Sequence, residues 1–193
     1  MQQSFKRGFE KDSMLMGSAL AGTVLWITNA VFNFIAKDYR AFLIDIMYVI
    51  CLITLCGAEF KKEKNVVQGM IGALLAVSVI GNINVLTEMI EADIPSRSLW
   101  QVIVSLVLIV ALFLNHFLLA NSHYHNNRRI FINQLIVMAL LLLRCYQIII
   151  NIIGGGLSTI VIEVTVGLLA IIPTLNVVVC IECRNDGYKM TEG

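Results

Sequence analysis

Two ionisable residues stand out because they lie inside apolar runs, on either side of three consecutive glycines at 154–156. Arg144 precedes these glycines by about ten residues and Glu163 follows them by about eight. A helical hairpin turning at the glycines would place the two side chains within ~3–4 Å of each other in depth, at 1.5 Å rise per residue. Because a lone arginine in lipid costs several kcal/mol, the spacing predicts an ion pair between Arg144 and Glu163. The pair would be either a structural clamp or part of a ligand site.

Other polar residues interrupt neighbouring apolar runs. Gln147 and Asn151 share a helical face with Arg144, Asp45 lies near the start of the second run, and Glu88 lies near the end of the third. Ionisable groups inside lipid mark ligand or ion pathways, although they also join helices as plain hydrogen-bonding groups. We therefore predict a polar, net acidic ligand or ion site in one half of the bilayer. Its residues are Asp45, Glu88, Arg144, Gln147, Asn151 and Glu163.

Four further residues form a weak candidate for a metal site. A His-x-His pair and a Cys-x-x-Cys pair could together supply four zinc ligands, namely His123, His125, Cys180 and Cys183. The histidines lie in a connecting loop and the cysteines at a helix end, so the pattern favours a basic loop beside lipid headgroups instead. We predict no metal. The chain has no nucleotide-binding loop and no other cofactor motif, so we expect no cofactor.

One histidine within an apolar run raises the possibility of intramembrane catalysis. His116 lies at a depth comparable to Cys56 and Cys180, and a cysteine beside a histidine base can act as a nucleophile. No local motif accompanies these residues. The sequence therefore favours a non-enzymatic role, with an intramembrane enzyme as the third hypothesis.

The elements that must position these side chains are six apolar runs, at 14–35, 41–59, 66–90, 98–120, 130–153 and 158–181. Each reaches the ~20 residues that cross ~30 Å of hydrocarbon, and only helices satisfy the backbone in such runs. The chain is 58% hydrophobic and 14% charged, against about 45–50% and 25% in soluble domains. We predict an all-α polytopic integral membrane protein, a bundle of six transmembrane helices with short loops, forming one domain over 1–193.

The basic residues between the runs predict the orientation of the bundle. Ten of them fall on the side of the two termini and three on the other, with Arg144 inside a run. The positive-inside rule therefore places both termini in the cytoplasm, across the cell (inner) membrane. The first run is about 22 residues long, longer than the ~7–15 of a cleavable signal, so we expect it to be retained.

Small residues spaced along two of the runs predict close helix packing. They are Gly17, Ala21 and Gly22 in the first run, and Gly69, Gly72, Ala73 and Ala76 in the third. Such faces let transmembrane helices approach each other closely. They predict either packing of the first run on the third or an interface with another subunit.

These patterns favour a small multi-pass membrane transport or ligand-binding subunit, with its polar site in the outer half of the bilayer. We expect it to act as a homo-oligomer or with a membrane or cytoplasmic partner. The alternative is a membrane-embedded sensor, immunity or defence component that signals to a cytoplasmic partner. The lipid bilayer is the expected environment, and a net charge of +1 argues against nucleic-acid binding.

Overall fold

The computed structural model of the chain consists of helices joined by short connections. The helices are α1 (Gln2–Ile35), α2 (Tyr39–Phe60), α3 (Lys64–Glu91), α4 (Ser96–Ala120), α5 (Asn127–Gly155) and α6 (Thr159–Lys189). The structure describes the backbone of residues 2–61, 63–91, 96–120, 127–155 and 159–189. Side chains are described for residues 13–61, 63, 65–91, 99–117, 131–150, 152–153 and 165–181.

The helices have the length and apolar character of membrane spans. Five described stretches are long and apolar enough to cross a bilayer: Ser13–Ile35, Tyr39–Phe60, Asn65–Glu91, Leu99–Phe117 and Phe131–Ile150. A shorter apolar stretch, Thr165–Ile181, lies in α6. Large apolar side chains such as Leu20, Leu142 and Ile153 face outward, where only lipid can solvate them. The prediction of an all-α helical membrane bundle is confirmed, and the chain is a multi-pass membrane protein.

The helices form a closed ring in chain order. Each helix packs against the helix before it and the helix after it, and α6 returns to pack against α1. Two side-chain hydrogen bonds join α6 to α1: Trp26 Nε1 donates to Thr174 Oγ1 at 2.9 Å, and Asn176 Nδ2 donates to Ser18 Oγ at 2.7 Å. A ring of six helices necessarily has an interior, and the side chains that fill it differ between its two ends.

A tight turn connects α1 to α2 and defines one end of the ring, which we call the turn end. Lys37 takes a left-handed conformation with φ of 63°, which ends α1. The carboxylate of Asp38 then caps α2, accepting hydrogen bonds from the backbone N–H groups of Arg40 at 3.1 Å and Ala41 at 3.0 Å. The turn therefore makes α1 and α2 an antiparallel hairpin with a short connection.

The opposite end, which we call the terminus end, is packed with apolar side chains. Its interior holds fully buried residues from several helices: Leu52, Leu55, Leu112, Leu140, Val177, Val178 and Ile181. Dispersion contacts among such side chains, rather than a hydrophobic drive, hold helices together in lipid. Among the described residues, the interior at the terminus end is therefore mainly apolar, with the buried polar side chains of His116 and Asn133 beside it.

Among the small residues, Gly22 packs most tightly. An added Cβ at Gly22 would lie 3.2 Å from Cδ1 of Leu52 and 3.5 Å from Oγ1 of Thr174. Gly22 thus allows α1 to approach α2 and α6 together. The small residues predict packing of α1 on α3, whereas the structure places α2 between these two helices.

The remaining predicted packing residues divide into two groups. An added Cβ at Gly17, Gly69 or Gly72 would meet no atom within 4 Å, and Ala21 is exposed. Ala73 and Ala76 are half-buried. The glycines of the first group have no such close contact with the other described residues. A role of the first group in an interface with another subunit stays a prediction.

Candidate functional site

A cavity of about 620 Å³ occupies the turn end of the ring. All six helices contribute to its wall, since its lining includes Asn33 of α1, Asp45 of α2, Asn82 of α3, Val102 of α4, Arg144 of α5 and Gly167 of α6. Its volume lies within the ~300–1,000 Å³ typical of small-molecule sites. The wall combines apolar side chains with polar and charged groups, which form two separate clusters.

The first cluster surrounds Asp45, which is 3% exposed. The Nδ2 atoms of Asn29 and Asn33 both donate to Oδ2 of Asp45, at 2.9 Å and 2.7 Å. The two asparagines are four residues apart on α1 and therefore lie on one helical face. Two neutral amide donors of α1 thus contact the buried carboxyl group of Asp45.

The second cluster surrounds Arg144, which is 4% exposed. One guanidinium nitrogen, Nη1, donates to Oε1 of Gln147 at 2.7 Å, and the other, Nη2, donates to Oδ1 of Asn82 at 3.2 Å. Nη2 also donates to Oγ of Ser105, whose hydroxyl donates to Asn82 Oδ1 at 3.0 Å. Three helices thus hold the guanidinium through neutral acceptors.

One polar atom of this arginine is not satisfied. Arg144 Nε is buried and has no hydrogen-bond partner among the described residues. The partners of its two terminal nitrogens are the neutral side chains of Gln147, Asn82 and Ser105. A buried donor without a partner costs about 1–3 kcal/mol, and more when the group is charged. The second cluster therefore has, among the described residues, one unused donor.

A stacked aromatic pair lies at the base of the cavity. The rings of Trp26 and Tyr48 are parallel within 4°, with their centroids 3.9 Å apart. The indole N–H of Trp26 is bonded to Thr174, which fixes the orientation of the ring. Both rings line the cavity, as do Asp45 and Arg144. The stacked pair therefore forms part of the cavity wall.

The turn end of the cavity carries further acids. Asp38, the cap of α2, and Glu88, on the last two turns of α3, both line the cavity. The amide of Asn84 donates to Oε1 of Glu88 at 2.5 Å. Glu88 is exposed, unlike Asp45. The acids thus form a series from the exposed end of the cavity to its buried part.

Four of the six residues predicted for the ligand site line this one cavity: Asp45, Glu88, Arg144 and Gln147. The side chains of Asn151 and Glu163 lie outside those that the structure describes. The ion pair between Arg144 and Glu163 consequently stays a prediction. The structure adds that Arg144 has three other partners, all of them neutral.

Several residues of the cavity wall and of its two polar clusters were not among those predicted. Asn29 and Asn33 carried a usable signal, because two amides four residues apart in an apolar run mark a polar face. Ser105 carried none, since a single serine is common in transmembrane helices. Trp26 and Tyr48 carried no signal of a site in the sequence either. Aromatic residues are common in apolar runs, and only the tertiary structure brings these two rings together.

The weaker predicted sites are only partly described. Within the described part of the chain, no three residues of the types His, Cys, Asp and Glu come together as a metal site. His123, His125 and the side chain of Cys183 lie outside that part, so the zinc candidate is not tested. Nε2 of His116 lies 3.3 Å from the backbone carbonyl oxygen of Gln68.

No protein-family model, curated protein or solved structure matches this chain, so the geometry and chemistry of the cavity carry the functional argument.

Proposed function

We propose that the protein is a small membrane transport or ligand-binding subunit that holds a polar small molecule in the cavity at the turn end. The single observation that carries this proposal is that two buried ionisable residues, Asp45 and Arg144, line the same cavity of about 620 Å³. Charged groups are expensive inside a membrane protein and are found mainly where they bind or move something. A purely structural bundle has no need of a cavity at this point.

The asymmetry of the ring supports a site with access from one end. The described interior of the terminus end is mainly apolar, whereas exposed Glu88 and the capping residue Asp38 line the cavity at the turn end. The distribution of lysine and arginine favours a cytoplasmic location for the termini. In this orientation the cavity opens to the outside of the cell membrane, as expected of a subunit that captures an external ligand.

Exposed small residues support action with a second subunit. An added Cβ at Gly17 or Gly69 would meet no atom of the described residues within 4 Å, and close-packed interfaces between membrane helices use such positions. The chain would then work as a homo-oligomer or beside a partner that supplies energy. This part of the proposal is separable from the ligand site.

The test is ligand-dependent thermal stability of the purified protein in detergent. The probes are four classes of small molecule: amino acids, organic acids, polyamines and nucleosides. A ligand that binds only the folded state raises the melting temperature in proportion to its occupancy. We expect at least one class to raise it by several degrees, and Asp45→Asn to abolish the rise.

The matched control is Glu63→Gln, which also removes one carboxylate but changes an exposed residue that does not line the cavity. It should leave the rise unchanged. If all four classes leave the wild-type melting temperature unaltered, the ligand-site proposal fails.

A further inference from the structure

We infer that the ligand is a neutral nucleoside, recognised through carboxamide side chains of the cavity wall. This inference rests on the proposed function and specifies the ligand class of the same cavity. Its starting point is the chemistry of the described lining, which contains six carboxamides from four helices: Asn29, Asn33, Asn82, Asn84, Gln101 and Gln147. A carboxamide carries a hydrogen-bond donor and an acceptor side by side and has no net charge.

Two acidic residues orient three of these carboxamides. The amides of Asn29 and Asn33 donate to Asp45, and the amide of Asn84 donates to Glu88. Each of these bonds uses the nitrogen of the carboxamide and not its carbonyl oxygen. No hydrogen bond to another described residue involves Oδ1 of Asn29 or of Asn33. Two acceptors of fixed orientation therefore remain for a ligand.

Arg144 orients two further carboxamides in the opposite sense. A guanidinium only donates hydrogen bonds, so Gln147 and Asn82 present their carbonyl oxygens to its two terminal nitrogens. The amide nitrogen of Asn82 donates to the backbone oxygen of Ser78. The amide nitrogen of Gln147 has no acceptor among the described residues. Gln147 therefore contributes a donor of fixed orientation to the lining.

Gln101 is the carboxamide that no ionisable residue orients. It is half-buried in the lining and has no hydrogen bond to another residue of the described part of the chain. Both its donor and its acceptor are therefore available to a ligand. The other carboxamides are oriented before the ligand arrives, which lowers the cost of binding. The ionisable residues of the cavity thus position neutral polar groups.

This lining matches a neutral ligand with several hydrogen-bonding groups. The edge of a nucleobase places donors and acceptors side by side, and carboxamides pair with such an edge through two hydrogen bonds, as they do with adenine. The hydroxyls of ribose both donate and accept, so they suit the carbonyl oxygens of Asn29 and Asn33. Amino acids, organic acids and polyamines carry full charges at neutral pH, which carboxamides do not neutralise. Of the four probe classes, nucleosides are the neutral one.

The apolar part of the lining suits the faces of a nucleobase. It consists mainly of aliphatic side chains, namely Ile44, Val85, Val102, Leu168 and Ile171. Proteins that bind a single base hold its flat faces between apolar or aromatic side chains. Trp26 and Tyr48 stack on each other and are only 4% and 3% exposed, so the aliphatic side chains provide this surface. A free sugar would use the polar groups but not the apolar wall.

The experiment compares four probes that share parts of one molecule: adenosine, adenine, D-ribose and adenosine 5′-monophosphate. Binding to the purified protein in detergent is measured by calorimetry and by thermal shift. Uridine, uracil and uridine 5′-monophosphate form a second matched set with a smaller base. In at least one set, we expect the nucleoside to bind at least tenfold more tightly than its base or ribose. The nucleotide should bind at least tenfold more weakly than the nucleoside, because its phosphate adds negative charge to a lining that contains three carboxyl groups.

Two variants remove hydrogen bonds to the ligand and keep those within the wall. Gln147→Glu retains an oxygen for Arg144 but loses the amide donor, and should reduce nucleoside affinity at least tenfold. Gln101→Leu breaks no bond to a described residue and should have an effect of the same size. The matched controls are Gln68→Glu and Gln68→Leu, because Gln68 is exposed and does not line the cavity. They should keep the wild-type affinity. If one cavity variant does not fold, the other and the wild-type ratios among the probes still decide the question.

Three results would overturn the inference. The first is equal or tighter binding of the base, the sugar or the nucleotide by the wild-type protein in both sets. The second is unchanged nucleoside affinity in both cavity variants. The third is no binding of either nucleoside although an amino acid, organic acid or polyamine stabilises the protein, which would leave the proposed ligand site standing. Failure of every class would remove the proposed function together with the inference.

Discussion

A Cβ atom on Gly167 would lie 3.3 Å from Oδ1 of Asn29, the residue whose amide holds Asp45. Because Gly167 of α6 has no side chain, Asn29 of α1 can lie against it. From this position the amide of Asn29 donates to the carboxyl group of Asp45 on α2. The close approach connects three helices around the cavity.

Replacing Gly167 should consequently damage the site. In Gly167→Ala, Asn29 must move by a few tenths of an ångström, which weakens its bond to Asp45 and overpacks the contact at a cost of about 1–3 kcal/mol. We expect a lower melting temperature and weaker ligand binding. Gly69→Ala is the matched control, because its Cβ meets nothing within 4 Å. Equal effects of the two substitutions would contradict the packing described for α6 and α1.

The Trp26–Thr174 hydrogen bond joins the first and last helices of the ring. Trp26→Phe keeps a ring for stacking on Tyr48 but removes the donor, and Thr174→Val removes the acceptor. Hydrogen bonds between transmembrane helices have a mean coupling energy of about 0.6 kcal/mol in double-mutant cycles. We expect a favourable coupling of about that size from the melting curves of the two single variants and the double variant. Strictly additive effects would show that the bond does not contribute to stability.

Solvent access distinguishes the cavity from the lipid-facing surface without any knowledge of the ligand. Val102 lines the cavity, whereas Val107 on the same helix is 61% exposed on the outside of the ring. In a background that lacks the native cysteines, Val102→Cys should react with a water-soluble maleimide because water reaches the cavity. Val107→Cys should react far more slowly, since a thiol in lipid is rarely ionised. Similar rates at both positions would argue against a hydrated cavity.

The orientation is tested by labelling from one side of intact cells. Lys37 lies in the α1–α2 turn at one end of the ring, and Lys61 follows the end of α2 at the other. A membrane-impermeant thiol reagent should label Lys37→Cys in intact cells, and Lys61→Cys only after the membrane is permeabilised. The reverse pattern would place the cavity on the cytoplasmic side and contradict the positive-inside prediction.

The helices were predictable from the sequence because their signal is local. Each apolar run is long enough to require a helix in lipid, and the predicted second run, 41–59, falls within Tyr39–Phe60. The boundaries extend beyond the apolar runs where capping decides them. At the start of α2, for example, Asp38 caps the helix three residues before the predicted run begins.

The arrangement of the helices was less predictable, because packing in lipid depends on shape as well as residue type. Gly17 and Gly22 look equivalent as small residues in one run, yet only Gly22 lies against Leu52 and Thr174. Arg144 was recognisable as a functional candidate by its cost in lipid. Its partner Ser105 was not, because a hydroxyl 39 positions away becomes a partner only when the ring forms.

Closure of the ring by α1 and α6 has a consequence for biogenesis. The first helix leaves the ribosome long before the last, and its neighbour on one side is absent until Thr174 and Asn176 have been synthesised. Until then the interior remains open to lipid along one flank, and Asn29 lacks the surface of Gly167 against which it packs. Ligand capture therefore becomes possible only after the whole chain has been inserted. Truncation within α6 should abolish the site even though nearly all of its charged residues would still be present.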